Sequence, residues 1–212
     1  MIVVTIASLC AIALPQDAPS QTKDAPASES KGFPPRAAPA DYQAQAQAGA
    51  VTVAAEFMGH SVPTPEATYT TEEYVVVEAA LFGTRARLSA GDFSLRINGK
   101  KTPLPNQPYE LAFKSLKDPE WEPPSKDSKS KTSFGTGGGG DTGSTPAPVH
   151  MPIELRRAME QRVQKCAMLE GDRALPQAGL LFFEFRGKTQ SIRSLELIYN
   201  GSAGNATLTL QP

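Results

Sequence analysis

"EYVVVEAALF", Glu73 to Phe82, decides how the rest of the chain is read. Its apolar residues occupy odd and even positions alike, so a strand built from it has two apolar faces. Such a strand belongs in the middle of a sheet whose faces are both covered. On the N-terminal side, Tyr42, Ala44, Ala46 and Ala48 alternate with Gln. Gly49 interrupts, and Val51, Val53, Ala55 and Phe57 then share a face. Period two on both sides of a glycine predicts two short strands or one bent strand. "HSVPTPEA", His60 to Ala67, reads as a Pro-rich connection back to the central strand.

On the C-terminal side, Phe93, Leu95 and Ile97 face one way, and Asp92, Ser94 and Arg96 the other. Asn98-Gly99 follows as a tight hairpin turn, because both residues tolerate positive φ. "PYELAFKSL", Pro108 to Leu116, is expected to be a further strand, and "KDPEWEPP", Lys117 to Pro124, a rigid solvated exit. Beyond residue 150, "PIELRRAMEQRVQKCAMLEGDRALP" has Pro152 near its first helical position and Gly171 near its end. Leu155, Met159, Val163, Cys166 and Leu169 fall near one face. That pattern predicts one amphipathic helix over 153–170, docked by its apolar stripe on the sheet. "LLFFEF" from Leu180, "SIRSLELIY" from Ser191 and "NATLTLQP" from Asn205 are strands. Leu195, Leu197 and Tyr199 share a face, as do Ala206, Leu208 and Leu210, and Asn200-Gly201 marks the turn between the last two strands. Seven or eight short strands separated by turn signals predict a mainly β chain folded as an antiparallel β-sandwich.

Pro and Gly make up 36 of the 212 residues and crowd into two stretches, leaving the remainder dense enough for a core. Residues 15–40 are rich in Pro, Ala and Ser and poor in aliphatics, and read as a disordered tether. Residues 125–150 contain "KTSFGTGGGGDTGSTPAPVH", Lys131 to His150. A phosphate-binding loop would carry a Lys after its glycines and would join a strand to a helix. Here Asp141 follows, so the segment reads as a flexible insert in a single sandwich domain over 41–212. Residues 1–14, "MIVVTIASLCAIAL", carry no charge and are too few to span a bilayer as a helix. With Ala11-Ile12-Ala13 as a small-x-small site, they suit the core of a secretory signal that lacks its basic N-terminal region. Leu9 before Cys10 does not suit a lipid acceptor. The expectation is an exported protein, periplasmic, extracellular or at the cell surface, whose processed chain keeps Cys166 as its one thiol and has no internal disulfide.

"YVVVEAAL", "DFSLRINGKK", "LPQAGLLFFEF" and "SLELIY" together resemble small extracytoplasmic bacterial domains with an immunoglobulin-like sandwich, a class that includes mycobacterial secreted antigens. The resemblance covers about 100 residues. It implies an immunoglobulin-like arrangement of the strands. The class shares no catalytic residues, so none is carried over. The helix and the insert depart from its pattern.

A net charge of −1 gives no overall field for nucleic acid or an anionic membrane. His60 lies in a turn and His150 in the insert, and no cluster of His and Cys has the spacing of a zinc site. "EGDRA" and "AGDF" are too sparse for a calcium loop, and no G-x-S-x-G elbow occurs. No cofactor is expected. Trp121, alone among prolines, is the one aromatic singled out for ligand or partner contact. It either stacks on a sugar or a Pro-rich peptide, together with exposed Tyr residues, or pins the start of the insert onto the sandwich. Cys166 is expected to be a small buried residue, with a disulfide-linked dimer as the alternative to a monomer. These features predict a non-catalytic binding or scaffolding module for a protein or glycan partner at the bacterial cell envelope. A carbohydrate-binding module is the alternative, and a hydrolase the remoter one.

Overall fold

A computed structural model of the chain describes residues 32–122 and 150–212. The signal-like segment, the tether as far as residue 31 and the insert from 123 to 149 lie outside the described residues. In chain order the structure places β1 at Ala44–Ala48, β2 at Val51–Gly59, β3 at Ser61–Pro63, β4 at Thr68–Thr71, β5 at Tyr74–Phe82 and β6 at Arg85–Leu88. Then come β7 at Phe93–Ile97, β8 at Leu104–Pro105, α1 at Tyr109–Ala112 and β9 at Leu116–Lys117. The second segment holds α2 at Ile153–Cys166, β10 at Gly171–Ala174, β11 at Gln177–Glu184, β12 at Leu195–Gly201 and β13 at Gly204–Leu210.

The fold is mainly β and antiparallel. One four-stranded sheet has the order β1-β2-β5-β11 and the other β13-β12-β7-β8. They face each other across a shared core. Val53, Val75, Val77 and Leu181 from the first sheet meet Leu95, Leu195, Leu197 and Tyr199 from the second, all buried. Each large aliphatic buried there contributes roughly 1.5–3 kcal/mol. The eight strands of these two sheets agree with the expected sandwich. Two smaller sheets, β10-β6 and β3-β4-β9, flank them.

Strand β5 is central, between β2 and β11, and its residues from Tyr74 to Leu81 are all buried. Its odd positions face the sandwich core. Tyr74, Val76 and Glu78 face the other way, toward a third layer. Met159, Val163 and Cys166 of α2 pack there with Leu180 and Phe182 of β11. Among the described residues the second sheet has no such cover. Its outer face carries the cross-strand pair Arg96–Glu196 at 2.8 Å.

The two sheets are also joined along their sides. On one side, Asn106 N–H donates to Phe93 O (3.2 Å) and Gln107 N–H to Phe182 O (2.7 Å), while Asn106 Oδ1 accepts from Phe182 N–H (2.8 Å). Residues 106 and 107 thus stitch β7 of one sheet to β11 of the other. On the far side, β1 lies along β13, and Gln43 Nε2 donates to Gln211 O at 3.0 Å.

Several expectations are corrected. The tether was expected to reach residue 40, yet residues 32–40 lie on the first sheet, with Phe33 bridging Ala178. "HSVPTPEA" contains β3, which pairs with β4. "PYELAFKSL" is not a strand: Tyr109–Ala112 is a helical turn, continued by 3-10 geometry to Ser115. Its apolar residues cover the third layer through Ala112, Phe113 and Leu116 rather than alternating across a sheet. The Asn200-Gly201 pair closes the ladder opposite Gly204-Asn205, and the turn falls at Ser202-Ala203. The Asn98-Gly99 turn stands as read, with φ of 53° and 65° and Lys100 N–H donating to Ile97 O at 3.2 Å.

Helix α2 stops at Cys166, four residues short of the expected end. Ala167 bridges Leu180, and Met168 N–H donates to Leu180 O at 3.1 Å, so the chain leaves the helix to lie on β11. That approach needs Gly179. A Cβ there would collide with the backbone of Ala167 and Met168, which cannot swing aside as a side chain would. Gly179→Ala is expected to lower stability by about 3 kcal/mol in urea unfolding. Gly99→Ala, with positive φ but open space around the new Cβ, is expected to cost only about 1 kcal/mol.

Candidate functional site

The β7–β8 hairpin passes the end of β11, and the two form an open pocket of about 400 Å³. Ile97, Leu104, Pro105 and Phe185 give it apolar walls. Lys100, Thr102, Gln107, Glu184 and Arg186 supply its polar groups. A volume of this size accepts one or two rings of a small ligand or a polymer segment.

Side-chain hydrogen bonds to backbone groups fix the walls. Asn98 Oδ1 accepts from Arg193 N–H (2.6 Å) and Ser194 N–H (3.3 Å), and its Nδ2 donates to Ser191 O (3.0 Å). The hairpin tip is thereby tied to the loop after β11. On the other flank His60 spans two carbonyls, with Nδ1 2.7 Å from Tyr74 O and Nε2 2.9 Å from Gly187 O. Its ring also stacks on Phe185 at 6.4 Å between centroids. His60 therefore braces the wall at 185–187. With both nitrogens facing backbone carbonyls, it has none left for a reacting group.

The cations are available. Lys100 makes no ion pair among the described residues, and Arg186 makes only loose ones, at 3.7 Å to Glu73 and 3.5 Å to Glu184. Exposed pairs of this kind are worth less than about 1 kcal/mol, so a ligand anion can replace them. Sequence reasoning treated these residues as turn and strand ends. The usable signal was the basic content of 97–107 and 184–194, where Lys100, Lys101, Arg186, Lys188 and Arg193 stand against Glu184 alone.

Trp121, the sequence candidate, is elsewhere. It is half-exposed after β9, its N–H donating to Asp118 O at 3.2 Å, and it makes no aromatic pair among the described residues. Tyr42, Tyr69, Tyr74 and Tyr199 are buried and Tyr109 half-buried, so no exposed tyrosine extends a stacking platform from it. His150 is exposed just before α2. No group of three or more His, Cys, Asp or Glu among the described residues could hold a metal ion, and no helix among them is long and apolar enough to cross a membrane. No family model matches the chain, and neither a curated protein nor a solved structure matches it.

The second notable cluster is closed. Glu78 of β5 is 2% exposed and lies directly across from Glu56 of β2. Arg36 reaches both carboxylates, with Nη2 2.8 Å from Glu78 Oε2 and Nη1 against Glu56. Nη1 also donates to Asp41 O at 2.6 Å, and the guanidinium sits 4.5 Å over the Tyr42 ring. Burial above all, reinforced by the Glu78 charge against the opposing pull of Arg36, pushes the Tyr42 phenol up to about 12. The cluster fastens residues 32–42 across the first sheet.

Cys166 is 2% exposed, and burial, helped by the Glu66 charge, pushes its thiol up to about 11. A disulfide-linked dimer through Cys166 would first require α2 to lift off the sheet. The thiolate is also the reactive form.

Two outcomes follow. Arg36→Ala strands two facing carboxylates, one of them buried, and is expected to cost about 3 kcal/mol in urea unfolding. Adding Glu78→Gln should recover part of that loss. Native Cys166 is expected to resist iodoacetamide with no gain in rate between about pH 7 and 9. Because its folded pKa is raised, its contribution to stability holds below the unfolded thiol value and fades as pH climbs toward 11.

Proposed function

We propose that the chain is an exported, non-catalytic β-sandwich that binds a partner at the bacterial cell envelope through the pocket between the β7–β8 hairpin and the end of β11. The observation that carries this reading is the chemistry of the lining. It offers cations, an amide, a hydroxyl and apolar walls, which are groups that hold a ligand. Glu184 is the one carboxylate there, and the nearby His60 ring has a backbone carbonyl against each nitrogen. General acid–base work needs a free group within reach of the reacting atoms, and this lining does not supply the pair. Rigid walls favour binding as well, because a pocket that is already formed costs little ordering when the ligand arrives.

Export rests on the uncharged segment 1–14 and the Pro- and Ala-rich stretch behind it. The resemblance to extracytoplasmic immunoglobulin-like domains belongs to the same reading. Residues 1–40 fused to a reporter enzyme that matures only in an oxidising compartment are expected to give active reporter, and a silent fusion overturns export. For the site, backbone amide shifts of the full chain are measured during titration with soluble envelope polymers. Shifts confined to residues 97–107 and 184–187 are expected, and Thr102→Trp, which fills the rim without touching the core, should abolish them. Shifts centred on Trp121, or none at all, overturn the pocket as the binding site.

A further inference from the structure

We infer that the ligand of this pocket is a carboxylated sugar unit within an acidic polysaccharide. The inference rests on the pocket being the binding site, as proposed above. Three features of the lining select the chemistry. Lys100 and Arg186 are exposed cations on the same pocket, one unpaired among the described residues and one held loosely, so an arriving carboxylate meets charge-assisted donors with little to displace. Leu104, Pro105 and Phe185 offer apolar surface of the kind that receives the C–H face of a pyranose ring. Gln107 and Thr102 add an amide and a hydroxyl, which suit sugar hydroxyls.

The surroundings favour a polymer over a single unit. Lys101, Lys188 and Arg193 are exposed on the two loops that Asn98 ties together, extending the basic surface beyond the pocket. A chain with a negative charge on each unit can use those cations, whereas a monosaccharide cannot reach them.

Two rival polyanions fit less well. An extended acidic peptide would add as a strand along the free edge of β8, but Pro105 within β8 and Pro103 just before it have no N–H to offer. Single-stranded nucleic acid stacks its bases on exposed aromatic side chains, and Phe185, half-buried and braced by His60, is the one aromatic in the lining.

The test is calorimetric titration of the full chain with four probes: a galacturonic acid oligomer, the neutral galactose oligomer of the same length, a glutamate peptide of equal charge, and a single-stranded oligonucleotide. The galacturonate oligomer is expected to bind, and the neutral oligomer at least about tenfold more weakly. Lys100→Ala and Arg186→Ala should each weaken galacturonate about tenfold, with unfolding midpoints unchanged. Raising the salt concentration should weaken it further. Equal binding of the neutral oligomer, equal or tighter binding of the peptide or oligonucleotide, or no galacturonate binding overturns the sugar assignment. Thr102→Trp separates the two levels of the argument. If another probe binds and this variant blocks it, the pocket remains the binding site for a different ligand. If no probe and no envelope polymer perturbs the lining, the binding reading itself falls.

Discussion

Glu78 sits where an apolar residue would be the simplest solution, in the middle of a strand buried on both faces. A carboxylate in that position is tolerable only with a cation against it. No residue of the two sheets provides it. Arg36 does, from a segment that precedes the first strand, and in doing so it also pairs with Glu56, the direct cross-strand neighbour. Like charges facing each other on adjacent strands destabilise a sheet, so one guanidinium reduces two penalties, although Glu78 Oε1 stays buried without a hydrogen-bond partner among the described residues. This explains why a stretch rich in Pro and Ala lies in a fixed place. Its own apolar content is small, and what holds it is the pairing of Arg36 with the sheet, aided by Tyr42 packing on Ala54, Ala80 and Ala178. The small side chains at those positions leave the depth in which the segment rests.

The same constraint makes the two sheets unequal. The first must be covered on its outer face, by residues 32–42 at one end and by α2 with the β3-β4-β9 sheet at the other. The second has no such layer among the described residues and carries Arg96 and Glu196 on its outer surface. Material added to the first sheet occupies its outer face and the β11 edge, where Phe33, Gln107 and Ala167 each bridge the strand. The pocket lies where the β7–β8 hairpin meets the exit of β11. Its walls are turn residues, yet they are not loose, because Asn98, His60 and the 106–107 stitch each anchor a different part of the rim.

How much of this could be read from the sequence depends on whether a residue's role is local. The two-faced apolar run of β5, the Leu195–Leu197–Tyr199 face and the positive φ of Asn98-Gly99 are local properties, and all stand in the structure. "PYELAFKSL" misled because its apolar residues answer to the third layer, whose existence no pattern within nine residues reveals. The end of α2 was hidden for a related reason. Leu169 continues the helical stripe, but Gly179, ten residues on, opens a seat on β11 that the chain takes instead. The β6–β10 pair escaped notice because β10 is exposed along its length and carries no alternation. The role of Arg36 was the least accessible of all. A lone arginine among prolines looks like a solvated charge until the position 42 residues later is known to be buried. For the pocket, charge was legible and convergence was not: the basic residues of 97–107 and 184–194 lie more than 80 positions apart and meet through Asn98 and the 106–107 stitch.

That convergence changes what the net charge means. A total of −1 argued against nucleic acid and an anionic membrane when taken as an average. The two segments around the pocket hold five cations against one carboxylate, so the remainder of the chain is acidic and the charge is polarised. At physiological ionic strength fields decay over about 8 Å. A ligand approaching the pocket therefore responds to the cations on its rim far more than to acids on distant faces. Local sign, not the sum, sets which ligands are drawn in.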